Sequence, residues 1–141
     1  MSTTTTAATS KAPIKTLTED EELYVDSENK LFELYKHRSN NITQTQLLER
    51  EKRMATLTLA EVERLPEETP TYKAIGRMYI TKSKGSLKED IGRNIEYCEA
   101  ELKKLQETRT SIFKRIEAEE ENFRNIFQKI QQQKAGSVQQ K

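Results

Sequence analysis

The chain is most informative in what it has little of. Its 141 residues hold no tryptophan, one cysteine, one histidine, three prolines and four glycines. A lone cysteine, Cys98, rules out an internal disulfide and makes a reducing compartment the expectation. A lone histidine, His37, rules out any dyad or metal cluster built from two imidazoles, and a solvated helix position accounts for it. The four glycines are scattered, so no glycine-rich loop is available to cradle a phosphate. Charge of one sign is also lacking: 24 basic residues face 23 acidic ones, a net charge of +1. That balance argues against a chain that coats nucleic acid and against a polybasic membrane tether. No apolar run is long enough to cross a bilayer, and residues 1–10 have neither the basic nor the apolar part of a secretory signal. A soluble cytoplasmic protein is expected, in which the sequon Asn41-Ile42-Thr43 stays idle.

Charged residues and hydrophobic residues each make up 33% of what is present. Such a chain cannot build a thick core; it suits long helices with narrow apolar seams, within a single domain. Glu117, Glu119, Glu120 and Glu121 imitate an acidic metal site, but successive helical residues point in different directions, and a solvated face explains them better. No constellation supports an enzyme, and no cofactor is expected.

Residues 1–16 are polar and rich in Thr, Ala and Ser, and read as a disordered tail. Thr18-Glu19-Asp20-Glu21 is a capping box, and its acids suit the positive end of a helix dipole. The first helix is expected from there to Leu65, since neither Gly nor Pro interrupts it. Its apolar pattern is patchy; Tyr24, Leu31, Tyr35 and Ile42 fit one stripe. A second capping box, Thr58-Leu59-Ala60-Glu61, allows a kink near Met54 to Thr58. Pro66 and Pro70 then end the helical stretch. The second helix is expected from the capping box Ser86-Leu87-Lys88-Glu89 to about residue 133, with residues 134–141 as a flexible tail. Steps of four and three pick out Ile91, Ile95, Cys98, Leu102, Leu105, Arg109, Ile112, Ile116, Glu119, Phe123, Ile126 and Ile130. Ten of these twelve are apolar, which is the heptad of a coiled coil. Cys98 reads as a small buried hydrophobe on that seam, and Arg109 and Glu119 as its register-setting polar positions.

Between the helices, residues 71–81 are rich in β-branched and aromatic side chains around Gly76-Arg77, a two-residue turn with glycine first. This is the signature of a type II′ hairpin. One hairpin alone is marginal in water and leaves both edges unpaired, so it is expected to pair with hairpins of other chains through Tyr72, Ala74, Ile75, Gly76, Met78, Tyr79 and Ile80. A hairpin between helices of equal length makes them antiparallel, so residues whose numbers sum to about 150 should meet. The far end of the rod then gathers Phe123, Ile126, Phe127 and Ile130 with Leu17, Leu23 and Tyr24. That is more apolar surface than a two-helix seam covers, and an exposed apolar tip is a candidate contact surface.

The segments 57–65 and 72–80, within a helix–hairpin–helix frame, resemble the β-type subunits of prefoldin. The specific match covers roughly residues 56 to 83, within an expected family domain of 17–133. The resemblance implies a hetero-hexamer of two α-type and four β-type subunits, whose hairpins close an intersubunit β-barrel while coiled-coil arms project from it. It further implies an ATP-independent co-chaperone that holds unfolded proteins, actin and tubulin among them, at the arm tips and passes them to the cytosolic group II chaperonin. The competing reading is a structural coiled-coil adaptor with one dedicated partner, whose hairpin only caps the rod.

Overall fold

A computed structural model describes residues 18–138; the N-terminal tail expected at 1–16, and Leu17 with it, lie outside the described residues. Four elements follow in order: helix α1 (Glu19–Arg64), strands β1 (Tyr72–Ile75) and β2 (Met78–Thr81), and helix α2 (Lys84–Val138). The helices lie side by side, antiparallel, and the two strands form a single antiparallel ladder at one end. At 1.5 Å per residue, the 46 residues of α1 span roughly 70 Å.

Local chemistry sets the ends of these elements. Thr18 Oγ1 accepts from the Glu21 amide at 3.3 Å while Glu21 Oε2 accepts from the Thr18 amide at 3.1 Å, the reciprocal cap read from the sequence. The other two boxes are not used as expected. Thr58 donates its hydroxyl to the Met54 carbonyl at 2.8 Å, bonding back along an unbroken helix rather than capping a new one. Helix α2 starts at Lys84, two residues before Ser86, because Ser83 supplies the cap: its Oγ accepts from the Ser86 amide at 3.3 Å. Helix α2 also runs through Gly136 to Val138, past the expected end at 133.

The seam of α2 lies where its heptad puts it. Every one of the twelve positions is buried or half-buried except Arg109. On α1 the contact line differs from the stripe read in the sequence. It runs through Tyr24, Ser27, Leu31, Leu34, Asn41, Thr45, Leu48, Lys52, Ala55, Leu59 and Val62, in steps of three, four or seven, and leaves Tyr35 and Ile42 exposed beside it. Polar residues obscured the line because the structure buries them. Ser27 donates to Glu119 Oε1 at 2.7 Å, and that bond lowers the pKa of the glutamate. Asn41 donates through Nδ2 to the Leu105 carbonyl at 3.0 Å and accepts from Arg109 Nε at 3.4 Å. The sequon asparagine is therefore buried and engaged. These layers fix an antiparallel register close to the expected one, with Lys52 on Glu99 at 2.8 Å and Lys88 near Glu63 at 3.4 Å.

Cys98 sits fully buried in the seam, and burial pushes its thiol pKa up. The folded chain is therefore expected to resist alkylation by iodoacetamide at neutral pH, and to react at the free-thiol rate once unfolded in guanidinium. Fast labelling of the folded chain would mean that the seam opens around Cys98.

Candidate functional site

The hairpin end begins with its turn. Ile75 pairs with Met78, Ala74 with Tyr79, Lys73 with Ile80 and Tyr72 with Thr81. Gly76 has φ +59°, and among the described residues no non-glycine residue has positive φ, as a type II′ turn with glycine at its first position requires. Side chains alternate faces along a strand. Lys73, Ile75, Met78 and Ile80 share the face turned toward α2, and Tyr72, Ala74 and Tyr79 share the other. Neither face is covered beyond its root: Tyr79 is 77% exposed and Met78 67%, and Tyr72, Ile75 and Ile80 are exposed as well. All seven residues singled out for assembly therefore stand together on one small, open, two-stranded ladder.

The polar residues that root this ladder were not among the expected site residues. Asp90, on the first turns of α2, receives Lys73 Nζ at 2.6 Å and also the Nζ of Lys82. Thr71 is buried; it donates its hydroxyl to the Lys82 carbonyl at 2.5 Å, and the Lys82 amide returns a bond to the Thr71 carbonyl at 2.9 Å. Lys84 reaches across to the Leu65 carbonyl at 2.8 Å and to Glu67 at 3.1 Å, so the end of α1 is tied to the start of α2. A lysine and an acid separated by eight or more residues carry no periodic signal, which is why only the fold reveals this anchor.

At the other end, the Tyr24 ring packs at a tilt against Phe123, with centroids 4.8 Å apart, and against Phe127 at 6.2 Å. Ile126 is buried, and Tyr24, Phe123 and Ile130 are half-buried, so these four close the seam. Phe127, 45% exposed, remains open beside Val25, and Leu23 is exposed separately from them. A shallow depression of about 280 Å3 lies among Tyr24, Val25, Phe127, Ile130, Glu21 and Lys134. Of the expected tip residues within the described chain, Tyr24, Phe123, Ile126, Phe127 and Ile130 are brought together, whereas Leu23 stands apart from them in a depression lined by Glu19, Glu22 and Asp26.

A family model described as prefoldin subunit matches residues 26–135. The chain belongs to the prefoldin subunit family. Prefoldin subunit 1 of Arabidopsis thaliana is 35% identical over 80 residues, which cover 57% of this chain and 62% of that protein. Prefoldin subunit 1 of Danio rerio is 30% identical over 83 residues, covering 59% of this chain and 68% of the relative. The match therefore spans just under two thirds of the Arabidopsis protein's length. The crystal structure of the prefoldin beta subunit from Thermococcus strain KS-1 superposes with a TM-score of 0.67, covering 77% of this chain and 96% of that one. At 17% identity that likeness is one of fold. The resemblance read from 57–65 and 72–80, nearest to prefoldin subunit 1, is borne out, and the family match extends over most of both helices. Among the described residues, no helix is long and apolar enough to cross a membrane.

The geometry of this prefoldin-type hairpin makes Asp90 its anchor. Lys73 first and Lys82 second hold the Asp90 carboxyl down to about 2, against an ordinary value of 3.8. A carboxylate depressed by folding contributes fully above its ordinary value and loses that contribution as pH falls through about 2. Docking of the hairpin root through Asp90 is therefore expected to be independent of pH from neutrality to about pH 5, whereas Asp90→Asn loosens it at neutral pH. Amide hydrogen exchange at Lys73 and Ile80 reads this directly, with faster exchange expected in the variant. Unchanged exchange would remove Asp90 as the anchor.

Proposed function

We infer that the chain is one subunit of a hexameric, ATP-independent co-chaperone that works in the cytoplasm. Its hairpin joins those of two α-type and three further β-type subunits in a shared β-barrel, through Tyr72, Ala74, Ile75, Gly76, Met78, Tyr79 and Ile80. One observation carries the reading: a two-stranded ladder with both edges unpaired among the described residues and apolar side chains exposed on both faces. Such a ladder is marginal by itself, and closure into a barrel satisfies its edges. A hairpin that only capped the rod would not need Tyr72, Ile75, Met78, Tyr79 and Ile80 together in solvent.

The distal tip holds unfolded clients of the actin and tubulin kind and releases them to the cytosolic group II chaperonin. Contact is apolar and weak at each arm, and several arms on one client supply affinity through effective concentration. Phe127 and Leu23 make that contact. Tyr24, Phe123, Ile126 and Ile130 support it by closing the seam beneath, and Leu17, outside the described residues, is assigned to the same contact. No cofactor takes part.

Native mass spectrometry of the tagged protein from its own cells tests assembly. A complex of six subunits with five different partners is expected; a monomer or a single-partner complex would favour the adaptor reading instead. The tip is tested separately. The double variant Leu23→Ser, Phe127→Ser is expected to assemble normally yet lose several-fold in its ability to keep denatured actin soluble, and undiminished holding would place client contact elsewhere.

A further inference from the structure

Midway along the arm the charge balance of the chain breaks down. Helix α1 carries no acid between Glu33 and Glu49, and α2 none between Glu107 and Glu117. Within these stretches lie Lys36, His37, Arg38, Arg109, Lys114 and Arg115. The antiparallel register sets the two stretches side by side, as the bond between Asn41 and Arg109 fixes. Elsewhere on the rod most lysines and arginines meet an acid. Here Lys36 touches Glu33 only at 4.0 Å, and Arg38, Arg109, Lys114 and Arg115 have no carboxylate partner among the described residues. The result is a basic belt on a chain whose net charge is only +1.

The belt is also apolar on one flank. Arg38 and Arg109 line a depression of about 190 Å3 with Ile42 and Phe113, and the Phe113 ring is 53% exposed. Tyr35 stands one turn toward the tip, its hydroxyl donating to Glu120 Oε1 at 2.5 Å. Two arginines in one depression with an exposed ring and an isoleucine offer guanidinium donors for a carboxylate and an apolar floor for a neighbouring side chain.

We propose that this depression, formed by Arg38, Ile42, Arg109 and Phe113, docks an acidic polypeptide segment that also carries an apolar side chain. Charge complementarity selects the acid, and Phe113 with Ile42 selects the apolar neighbour. The length of the belt selects a short segment over a nucleic acid. The acid-free stretch of α2 covers only about 13 Å at 1.5 Å per residue. Beyond it lie Glu117, Glu119, Glu120 and Glu121 on one side and Glu107, Glu101 and Glu99 on the other. A polyanion running along the arm meets repulsion at both ends, whereas a few glutamates and one leucine fit within the belt.

The test uses the full chain and a fluorescent twelve-residue peptide alternating glutamate and leucine, followed by anisotropy. Saturable binding is expected that weakens as salt rises, with a lysine–leucine peptide of equal length failing to bind. Arg38 makes no hydrogen bond or ion pair among the described residues, so Arg38→Gln removes charge without breaking one; it is expected to weaken binding about fivefold, and Arg38→Gln with Arg109→Gln about tenfold or more. Phe113→Ser is expected to weaken it severalfold at unchanged salt dependence. Melting curves identify any variant that is misfolded, and Arg38→Gln alone then decides. Equal binding of the lysine–leucine peptide, or full affinity in Arg38→Gln, would overturn the assignment. So would an oligouridylate that binds the wild type and is lost in the arginine variants while the acidic peptide is unaffected.

Discussion

Two helices laid side by side bury only the line along which they touch, and every other property of this rod follows from how little that line covers. Among the described residues the seam buries a few full hydrophobes, Leu34, Val62, Ile112, Ile116 and Ile126, with Cys98. Burial of this kind is non-directional and would tolerate the helices sliding past one another by a heptad. What opposes sliding is polar: Ser27 on Glu119, and Asn41 on both Leu105 and Arg109. A buried hydroxyl or amide without its partner costs more than a lost apolar contact, so these layers penalise wrong registers more than they stabilise the right one. Correct register is what brings Tyr24 onto Phe123 at one end and sets the helix ends beneath the hairpin at the other.

The hairpin end solves the opposite problem. A four-residue strand pair has almost no interior, so its position on the rod comes from ions and hydrogen bonds at its root. Asp90 gathers Lys73 and Lys82, and Lys84 binds the carbonyl of Leu65, the residue that caps the end of α1. This leaves the apolar side chains free of intramolecular duty. A ladder held by its polar root and bare on its faces keeps a fixed orientation before any partner arrives, which lowers the ordering cost of docking onto other strands.

Legibility in the sequence tracked how a residue earns its place. The α2 heptad was readable because ten of twelve positions carry apolar side chains, and periodicity is a signal of repeated chemistry. Glycine at position 76 was readable because a type II′ turn demands positive φ at one place, and the structure has it there. The α1 seam was not readable: Ser27, Asn41, Thr45 and Lys52 occupy it, while Tyr35 and Ile42 continue an apparent stripe that faces solvent. The capping boxes show the same limit. Three matched the pattern, but only Thr18 caps as expected, since a Thr inside a continuing helix prefers the carbonyl four residues back, and the helix that Ser86 was to open already starts at Lys84, with Ser83 accepting from the Ser86 amide. Pairwise anchors such as Asp90 with Lys73 leave no trace until the fold brings the partners together.

The displaced stripe on α1 is itself informative. Tyr35 and Ile42 flank the seam on the side where Phe113 and Phe127 emerge from α2, so one lateral face of the arm carries rings and branched chains from the tip to its midpoint. The opposite lateral face at the same height is lined by Lys30, His37, Arg115, Asp26 and Glu33 around Leu34. A coiled coil needs neither asymmetry for its own stability, since both faces lie outside the buried line. An arm built only as a spacer between platform and tip gains nothing from exposed rings along one side, and exposed rings raise the risk of aggregation. Between the tip and the basic belt Tyr35, Ile42, Phe113 and Phe127 therefore leave one lateral face of the arm more apolar than the other, an asymmetry that the seam itself does not require.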